Sequence, residues 1–157
     1  MKRKPPADNI VCRNRDAAHR YEILQAVDCG MVLLGTEVKS LRDRVASLEE
    51  AYARIDGGEL WLVDCHIAPY RFGHTSNHES KRRRKLLVHA HELRKLKPMV
   101  ERRGLTLIPL CIYFTPRGLA KVTIALARGK KTADKRQALR SRDHQREIQR
   151  AMRRRTR

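Results

Sequence analysis

The chain has 157 residues, 41% hydrophobic and only 4% aromatic, which suits one domain with extensions rather than two full cores. With 36 Lys and Arg against 17 Asp and Glu, its formal net charge is +19, and such a surface attracts polyanions. No apolar run approaches the ~20 residues of a membrane-spanning helix, and no apolar segment follows the basic start of the chain. We therefore expect a cytoplasmic protein whose partner is nucleic acid rather than a membrane.

The first third of the chain combines a basic lead-in with strand and helix signals. Residues 1–12 contain prolines and basic side chains and are predicted to be a flexible lead-in. Residues 21–27 and 30–34 are β-compatible runs, with a turn or bend expected at 28–30. Residues 37–42 form a helix candidate of two turns at most, in which Glu37 is expected to order the turn or to pair with Lys39.

The middle of the chain predicts a β-hairpin. Residues 51–55 and 59–67 flank Asp56-Gly57-Gly58, and Asp-Gly between two apolar runs is a strong hairpin signal because Gly tolerates positive φ. The four cysteines form no Cys-x-x-Cys pair, which gives neither a zinc pattern nor a redox motif. Cys29, Cys65 and Cys111 are predicted to be reduced core residues.

A second hairpin is predicted from residues 105–114 and 119–126. The later run alternates so that one face can be core while Lys121 looks outward. Pro109 indicates an edge strand or a bulge, because proline cannot donate to the ladder.

Between the hairpins, residues 89–103 give the best helix pattern, with Gly104 as its stop and with a kink or restart expected at Pro98. Hairpins around one helix predict a mainly β fold, a small antiparallel barrel of the oligonucleotide-binding (OB) type with one or two short helices. The open face of such barrels commonly holds single-stranded or irregular nucleic acid. The barrel is expected to span residues 13–130.

The end of the chain is a basic tail, residues 131–157. From Arg128 onward, thirteen Lys and Arg stand against three acids, about half of the net charge in a fifth of the sequence. Pairs such as Asp143 with Arg146 permit a helix, but its apolar stripe is too polar to bury. We expect the tail to be disordered when free and to fold against a partner rich in phosphate.

Four segments resemble the signature blocks of one known family. They are NRDAAHRY at 14–21, GTEVKSLR at 35–42, RKLL at 84–87, and GKK with DKR at 129–131 and 134–136. In this order they are similar to the blocks of the bacterial SsrA-binding protein family, small protein B.

The resemblance implies an OB-type barrel that holds the tRNA-like part of transfer-messenger RNA (SsrA RNA, tmRNA). It implies a role in trans-translation, the rescue of ribosomes stalled on messages without a stop codon. The expected partners are tmRNA, the ribosome with its small-subunit rRNA, and elongation factor Tu on the charged tmRNA complex. The resemblance also implies no catalytic activity and no cofactor or metal, with the tail becoming helical in the empty mRNA channel.

The resemblance implies site residues by position. The expected RNA contacts are Asn14, His19, Tyr21, Asp28, Leu87, Lys121, Lys130 and Lys131. The expected contacts in the ribosomal decoding site are Asp134, Lys135 and Arg136. Three features depart from the family pattern: Asp28 stands where Glu is more usual, Ala133 stands where Tyr or His is more usual, and ESKRR at 79–83 replaces the more usual Asp-Pro-Thr-Arg-x loop.

The residues themselves add a basic cluster, Arg82, Arg83, Arg84 and Lys85, which is predicted to bind phosphate or to form a solvated face. Taken singly, three of the expected RNA contacts could instead have purely structural roles: His19 as a surface histidine, Tyr21 as a half-core tyrosine and Leu87 as a core leucine. The alternative function is a general ribosomal or ribosome-assembly RNA-binding protein. A nuclease would need clustered carboxylates, and acids are scarce here.

Overall fold

The computed structural model describes residues 9–73 and 77–130, which fold into a mainly β domain. Its elements in chain order are β1 (Ile10–Arg13), α1 (Ala17–Arg20), β2 (Tyr21–Met31), α2 (Gly35–Arg42), β3 (Ala46–Ser47), β4 (Tyr52–Asp56), β5 (Glu59–Val63), β6 (His66–Ile67), β7 (Arg84–Leu87), α3 (Ala90–Arg103), β8 (Thr106–Phe114) and β9 (Ala120–Gly129). The sequence indicated α2 and α3, whereas α1 is too short to show a helical period.

Six strands close into a barrel. Hydrogen bonds join neighbours in the order β8, β4, β5, β7, β2, β9, and the β8–β9 pairing completes the ring. Strand β1 adds to β8 outside the ring, and β3 pairs with β6 in a separate two-stranded sheet. All these pairings are antiparallel. The small antiparallel barrel predicted from the sequence is confirmed.

Alternate strand residues fill the barrel. On β9, Val122, Ile124 and Leu126 are buried, as the alternation of the sequence predicts. Helices α2 and α3 add Leu41 and Leu96 to the same core. The other strands contribute Val27, Cys29, Ala53, Leu60, Leu62, Leu86, Leu107 and Ile112.

A second, smaller cluster lies on the outer side of the same sheet. Ala125 and Ala127 of β9 are buried there together with Ala17 of α1 and Ile108 of β8. Short side chains on the sheet allow the one-turn helix α1 to lie close against it. This cluster positions α1 beside the start of β2.

Both predicted hairpins are present. Strands β4 and β5 pair from Tyr52↔Val63 to Asp56↔Glu59, and both turn residues have positive φ, 58° at Gly57 and 77° at Gly58. This geometry is typical of the primed turns that match the twist of a hairpin. In the β8–β9 hairpin the register shifts between Pro109 and Cys111, so the predicted bulge is confirmed.

Strand β2 corrects the prediction of a turn at residues 28–30. It runs unbroken from Tyr21 to Met31, because residues 28–30 pair with β9 through Asp28↔Thr123 and Gly30↔Lys121. The sequence signal was misleading because Gly30 lies inside the strand, paired with Leu87 on one side and with Lys121 on the other. Strand β1 likewise begins at Ile10, inside the lead-in predicted over 1–12, because Ile10 pairs with Tyr113 of β8.

Helix α3 runs unbroken from Ala90 to Arg103, so the predicted restart at Pro98 does not occur. Proline leaves the carbonyl of Arg94 without its helical donor, but Arg94 and Pro98 are both exposed, where water can supply one. Gly104 ends the helix with φ 59°, as predicted. Among residues 9–73 and 77–130, the helices are too short or too polar to cross a membrane.

The cysteines are free thiols, as predicted. Cys29 and Cys65 are fully buried in the core, and burial raises the pKa of the Cys65 thiol to about 11. Cys111 corrects the prediction, because the bulge in β8 turns it outward, where its Sγ lies 3.6 Å from Oγ1 of Thr123.

A buried carboxylate joins α2 to strand β7. Glu37 and Arg84 are both fully buried. Glu37 Oε1 accepts hydrogen bonds from Nε of Arg84 at 2.7 Å and Nε of Arg82 at 2.8 Å. Its Oε2 accepts from Nη2 of Arg82 at 2.5 Å and from the backbone N–H of Leu34 at 2.7 Å, which caps α2. The partners of Glu37 are therefore two arginines rather than the predicted Lys39.

Arg84 is hydrogen-bonded on every side of its guanidinium. Besides Glu37, its Nη1 donates to the carbonyls of Cys65 at 2.6 Å and Arg82 at 3.0 Å, and its Nη2 donates to the carbonyl of Ser80 at 3.0 Å. A charge can be buried without a large penalty only when it is paired and hydrogen-bonded in this way. Burial alone raises the pKa of Glu37, but the hydrogen bonds and charges of Arg82, Leu34 and Arg84 together hold it below its ordinary value.

Replacing Glu37 with Gln should destabilise the fold, because the buried charge of Arg84 loses its counter-ion. We expect Glu37→Gln to lower the free energy of unfolding by about 3 kcal/mol in urea titrations. The matched control is Glu50→Gln, which breaks the exposed pair with Lys81 and should leave the urea midpoint unchanged. Equal shifts of the urea midpoint in the two variants would contradict the role of Glu37 as the counter-ion of buried Arg84.

The same carboxylate should make stability pH-dependent. Because the pKa of Glu37 is lowered from 4.5, the unfolded chain takes up this proton at a higher pH than the folded chain. The stabilisation that ionised Glu37 gives to the fold is therefore complete above its unfolded-state pKa of 4.5, and it is lost as the pH falls through the lower pKa of the folded state. We expect the difference in unfolding free energy between the wild-type chain and Glu37→Gln to be constant from pH 7 to roughly 5 and to shrink below. A difference that persists unchanged to roughly pH 3 would contradict this assignment.

Candidate nucleic-acid interface

Three predicted RNA contacts meet on the outer face of the barrel. Gly30 of β2 pairs with Leu87 of β7 on one side and with Lys121 of β9 on the other. Asp28 lies two residues away on the same face of β2. These residues point outward because the residues that alternate with them, among them Cys29, Leu86 and Val122, are core.

Tyr113 and Thr123 complete this group, and we call the five residues Asp28, Leu87, Tyr113, Lys121 and Thr123 the Asp28 surface. The Thr123 hydroxyl donates to Oδ1 of Asp28 at 2.7 Å. Burial, with the nearby Asp28 carboxylate to which Tyr113 also hydrogen-bonds, raises the pKa of the Tyr113 phenol to about 12. Tyr113 is buried, with 8% of its surface accessible, and its neutral hydroxyl donates to Asp28, so it supports the carboxylate rather than facing solvent.

Sequence reasoning missed Tyr113 and Thr123, although the predicted hairpin contained the signal. Lys121 was expected to face outward, and the residue two positions along a strand shares its face, which selects Thr123. The register of the hairpin places Tyr113 directly opposite Lys121. Finding them required a pairing register, which the turn residues alone did not fix.

Leu87 is an exposed leucine, with 54% of its surface accessible, so the core alternative is wrong. Its neighbour across the ladder is Gly30, where an added Cβ would lie 3.4 Å from the Leu87 Cβ. Glycine at this position leaves no side chain on β2 beside the leucine. Leu87 and Lys121 flank β2 on either side, and an exposed apolar side chain at this place suits contact with a base or a ribose.

A second group of predicted contacts lies around α1, and we call Asn14, His19, Tyr21 and Lys130 the α1 surface. The side chain of Asn14 is used structurally: its Nδ2 donates to the carbonyl of Leu48 at 3.2 Å, and its Oδ1 accepts from the N–H of Ala17 at 3.0 Å. His19 is half-buried on α1.

The other two residues of the α1 surface, Tyr21 and Lys130, connect the barrel strands to α1. Tyr21 packs against the outer alanine cluster, as its half-core alternative anticipated. Lys130 donates from its backbone N–H to the carbonyl of Arg20 at 3.0 Å, and from Nζ to the carbonyl of Ala18 at 2.8 Å. These contacts fix the point from which the basic tail departs.

The two surfaces occupy opposite ends of one continuous strand. Tyr21 and Asp28 both belong to β2, and seven residues of strand span roughly 23 Å. Because β2 continues through residues 28–30, it carries both surfaces, with a shift in its register to β9 between Ile23 and Gln25. Lys131, Asp134, Lys135 and Arg136 lie outside the described residues.

The predicted phosphate-binding cluster is corrected at Arg84. Its guanidinium is fully buried on Glu37, so it cannot reach RNA. Arg82 is also drawn toward Glu37, and 27% of its side chain remains exposed. A run of basic residues indicated a solvated face, but strand alternation in β7 turns every second residue inward.

Arg83 and Lys85 remain at the surface, each beside an acid. The guanidinium of Arg83 lies 4.5 Å from the centre of the Trp61 ring and 3.5 Å from Oδ2 of Asp56. Lys85 pairs with Glu59. These acids offset much of the positive charge, so this part of the barrel is a weaker candidate for phosphate than Lys121.

Within residues 9–73 and 77–130, no three His, Cys, Asp or Glu side chains come together in a way that could hold a metal ion. The acids near the two surfaces have other partners: Asp28 is hydrogen-bonded to Thr123, and Asp16 forms an ion pair with Arg20. The arrangement can therefore position a polyanion by hydrogen bonds, apolar contact and charge.

Comparison with known proteins gives consistent matches. The SmpB protein family model matches residues 11–154. An SsrA-binding protein of Chlamydia muridarum is 52% identical over 144 residues, which cover 92% of this chain and 95% of the relative. One from Rhodopirellula baltica is 51% identical over 153 residues, which cover 98% of this chain and 87% of the relative.

A solved structure is also similar. It is described as "tmRNA-SmpB: a journey to the center of the bacterial ribosome", and one of its chains is 52% identical with a TM-score of 0.65. The match covers 77% of this chain and 85% of that one. With a family model over nearly the whole sequence and relatives at about half identity, this chain belongs to the SmpB protein family.

Proposed function

We propose that this chain binds transfer-messenger RNA on the outer face of its barrel and delivers it to stalled ribosomes in trans-translation. Membership of the SmpB family supports the proposal, as does the 52% identity to a chain in a tmRNA–SmpB ribosome structure. The function is binding and delivery, with no chemical step assigned to the protein itself.

One geometric observation carries the proposal. Asp28, Leu87 and Lys121 are distant in sequence, yet strand pairing to Gly30 brings them onto one outer face. They are residues for which the family resemblance implied a shared role in RNA contact. Because these side chains lie together on the outer face and take no part in packing the core, their assembly supports a common ligand.

The Asp28 surface has the chemistry to recognise folded RNA. Sequence-specific RNA recognition targets unpaired bases and 2′-hydroxyls, which require hydrogen-bond acceptors and donors at fixed positions. Asp28 supplies an acceptor, which Thr123 and the buried Tyr113 hold in place, while Leu87 offers apolar contact and Lys121 a charge for phosphate. Both Asp28 and Tyr113 are held in place by neighbouring strands, so little side-chain freedom is lost on binding.

The tail has a separate role in this proposal. Lys130 is anchored to α1, so the tail leaves the barrel next to the α1 surface. We assign Lys131 to tmRNA, and Asp134, Lys135 and Arg136 to the decoding site of a ribosome whose mRNA channel is empty. Small-subunit rRNA is then the phosphate-rich partner, and elongation factor Tu is a further partner on the charged RNA complex.

The barrel site is tested by affinity for tmRNA and for an ordinary tRNA at near-physiological salt. We expect preference for tmRNA, reduced about tenfold to hundredfold in Asp28→Ala because a charged hydrogen-bond acceptor is lost. His19→Ala tests the α1 surface in the same assay. Binding to tRNA should change little.

Asp43→Ala is the matched control for Asp28→Ala, because it removes the same charge from the exposed end of α2. It should retain the preference for tmRNA. Equal, salt-sensitive binding of both RNAs by the wild-type chain would indicate a general ribosomal RNA-binding protein instead.

The tail is tested by changing Asp134, Lys135 and Arg136 together to Ala. Affinity for tmRNA should remain nearly intact, because these residues are assigned to the ribosome rather than to the RNA. Tagging of nascent chains on stalled ribosomes in a reconstituted translation assay should be abolished. A parallel loss of affinity and tagging would refute this division between barrel and tail.

A further inference from the structure

A groove connects the two surfaces along the outer side of the barrel. It has a volume of about 510 Å³ and runs between β1 with α1 on one side and strands β2, β8 and β9 on the other. Asn14 of the α1 surface and Thr123 of the Asp28 surface both line it. A ligand that contacts both surfaces by the shortest path therefore crosses this groove.

The walls of the groove are aliphatic and its charged groups are basic. Ile10, Ala18, Ile23 and Leu110 form the apolar part, and Ile23 is 41% exposed although it lies on a central strand of the barrel. Arg13 and Arg15 are exposed lining residues, and no carboxylate lines the groove.

A neighbouring groove lacks this combination of aliphatic walls and exclusively basic charged groups. It has a similar volume, about 490 Å³, but its lining includes Asp16, Glu49 and Glu50. Asp16 is paired with Arg20, which also lines this groove, and Glu50 is paired with Lys81. The groove is therefore much less basic than that of Ile23 and attracts a phosphate backbone less strongly. Charge favours nucleic acid in the groove of Ile23 over the groove of Glu49.

We propose that the groove of Ile23 holds an unstacked nucleotide of the bound RNA, an inference that rests on the proposed function. The base lies against Ile23 and Leu110, while Arg13 and Arg15 contact the flanking phosphates. The groove thereby joins the Asp28 and α1 surfaces into one continuous interface. Ile23, Arg13 and Arg15 are additional RNA contacts that determine which unpaired segment of tmRNA fits.

The test compares two exposed aliphatic residues on the same strand. Ile23→Ser removes a groove wall, whereas Leu24→Ser changes a residue that is 45% exposed and does not line the groove. Neither belongs to the buried core, so both variants should fold. With the full chain and the isolated tRNA-like part of tmRNA, we expect Ile23→Ser to weaken binding about tenfold and Leu24→Ser to have little effect.

Two further readouts identify the nucleotide and the phosphate contact. Chemical probing of the RNA bases should find a base that is reactive in free RNA, protected by the wild-type chain and reactive again with Ile23→Ser. Arg13→Ala should lower the slope of log affinity against log salt by about one, the effect of one lost phosphate contact.

The outcomes separate this inference from the proposed function. Preference for tmRNA over tRNA, with equal effects of Ile23→Ser and Leu24→Ser and no base re-exposed, would overturn the groove site and leave the proposed function intact. A wild-type chain without preference for tmRNA would overturn both. A selective loss in Ile23→Ser with a re-exposed base would establish the site.

Discussion

The buried Glu37 carboxylate determines much of this structure. It is hydrogen-bonded to Arg84 inside the barrel and to the start of α2, so one side chain fixes helix and strand together. With Arg84 pointing inward, alternation along β7 turns Lys85 out, Leu86 in and Leu87 out. A slip of one residue would bury Leu87 and expose the arginine. An internal ion pair thus holds a leucine on the surface where RNA contact is proposed.

Closure of the barrel converts distant sequence positions into one interface. Strand β2 is bonded to both β7 and β9, so its outer residues have neighbours on either side. The strand is long enough to carry the Asp28 surface at one end and the α1 surface at the other. The groove of Ile23 lies between them. In the binding mode that we propose, RNA recognition therefore follows a line along β2 rather than a deep pocket.

The sequence predicted the architecture well, because its signals were local. Asp56-Gly57-Gly58 predicted a hairpin, Gly104 the end of a helix and Pro109 a bulge. Each of these predictions depends only on the conformational preferences of the residues named. It failed at residues 28–30 and at Arg84 for a shared reason. A glycine that pairs with a leucine across the ladder and an arginine that meets a buried glutamate are defined by partners distant in sequence.

The sequence by itself determined the charge, the hairpins, the best helix and the family blocks, and hence the expectation of a basic RNA-binding barrel. Tertiary structure decided which residues meet. It placed Asp28 between Thr123 and Tyr113, withdrew Arg84 from the surface and left Leu87 exposed opposite Gly30. The physical reason is that strand register and ion pairing act between segments far apart in the chain, and composition carries no information on either.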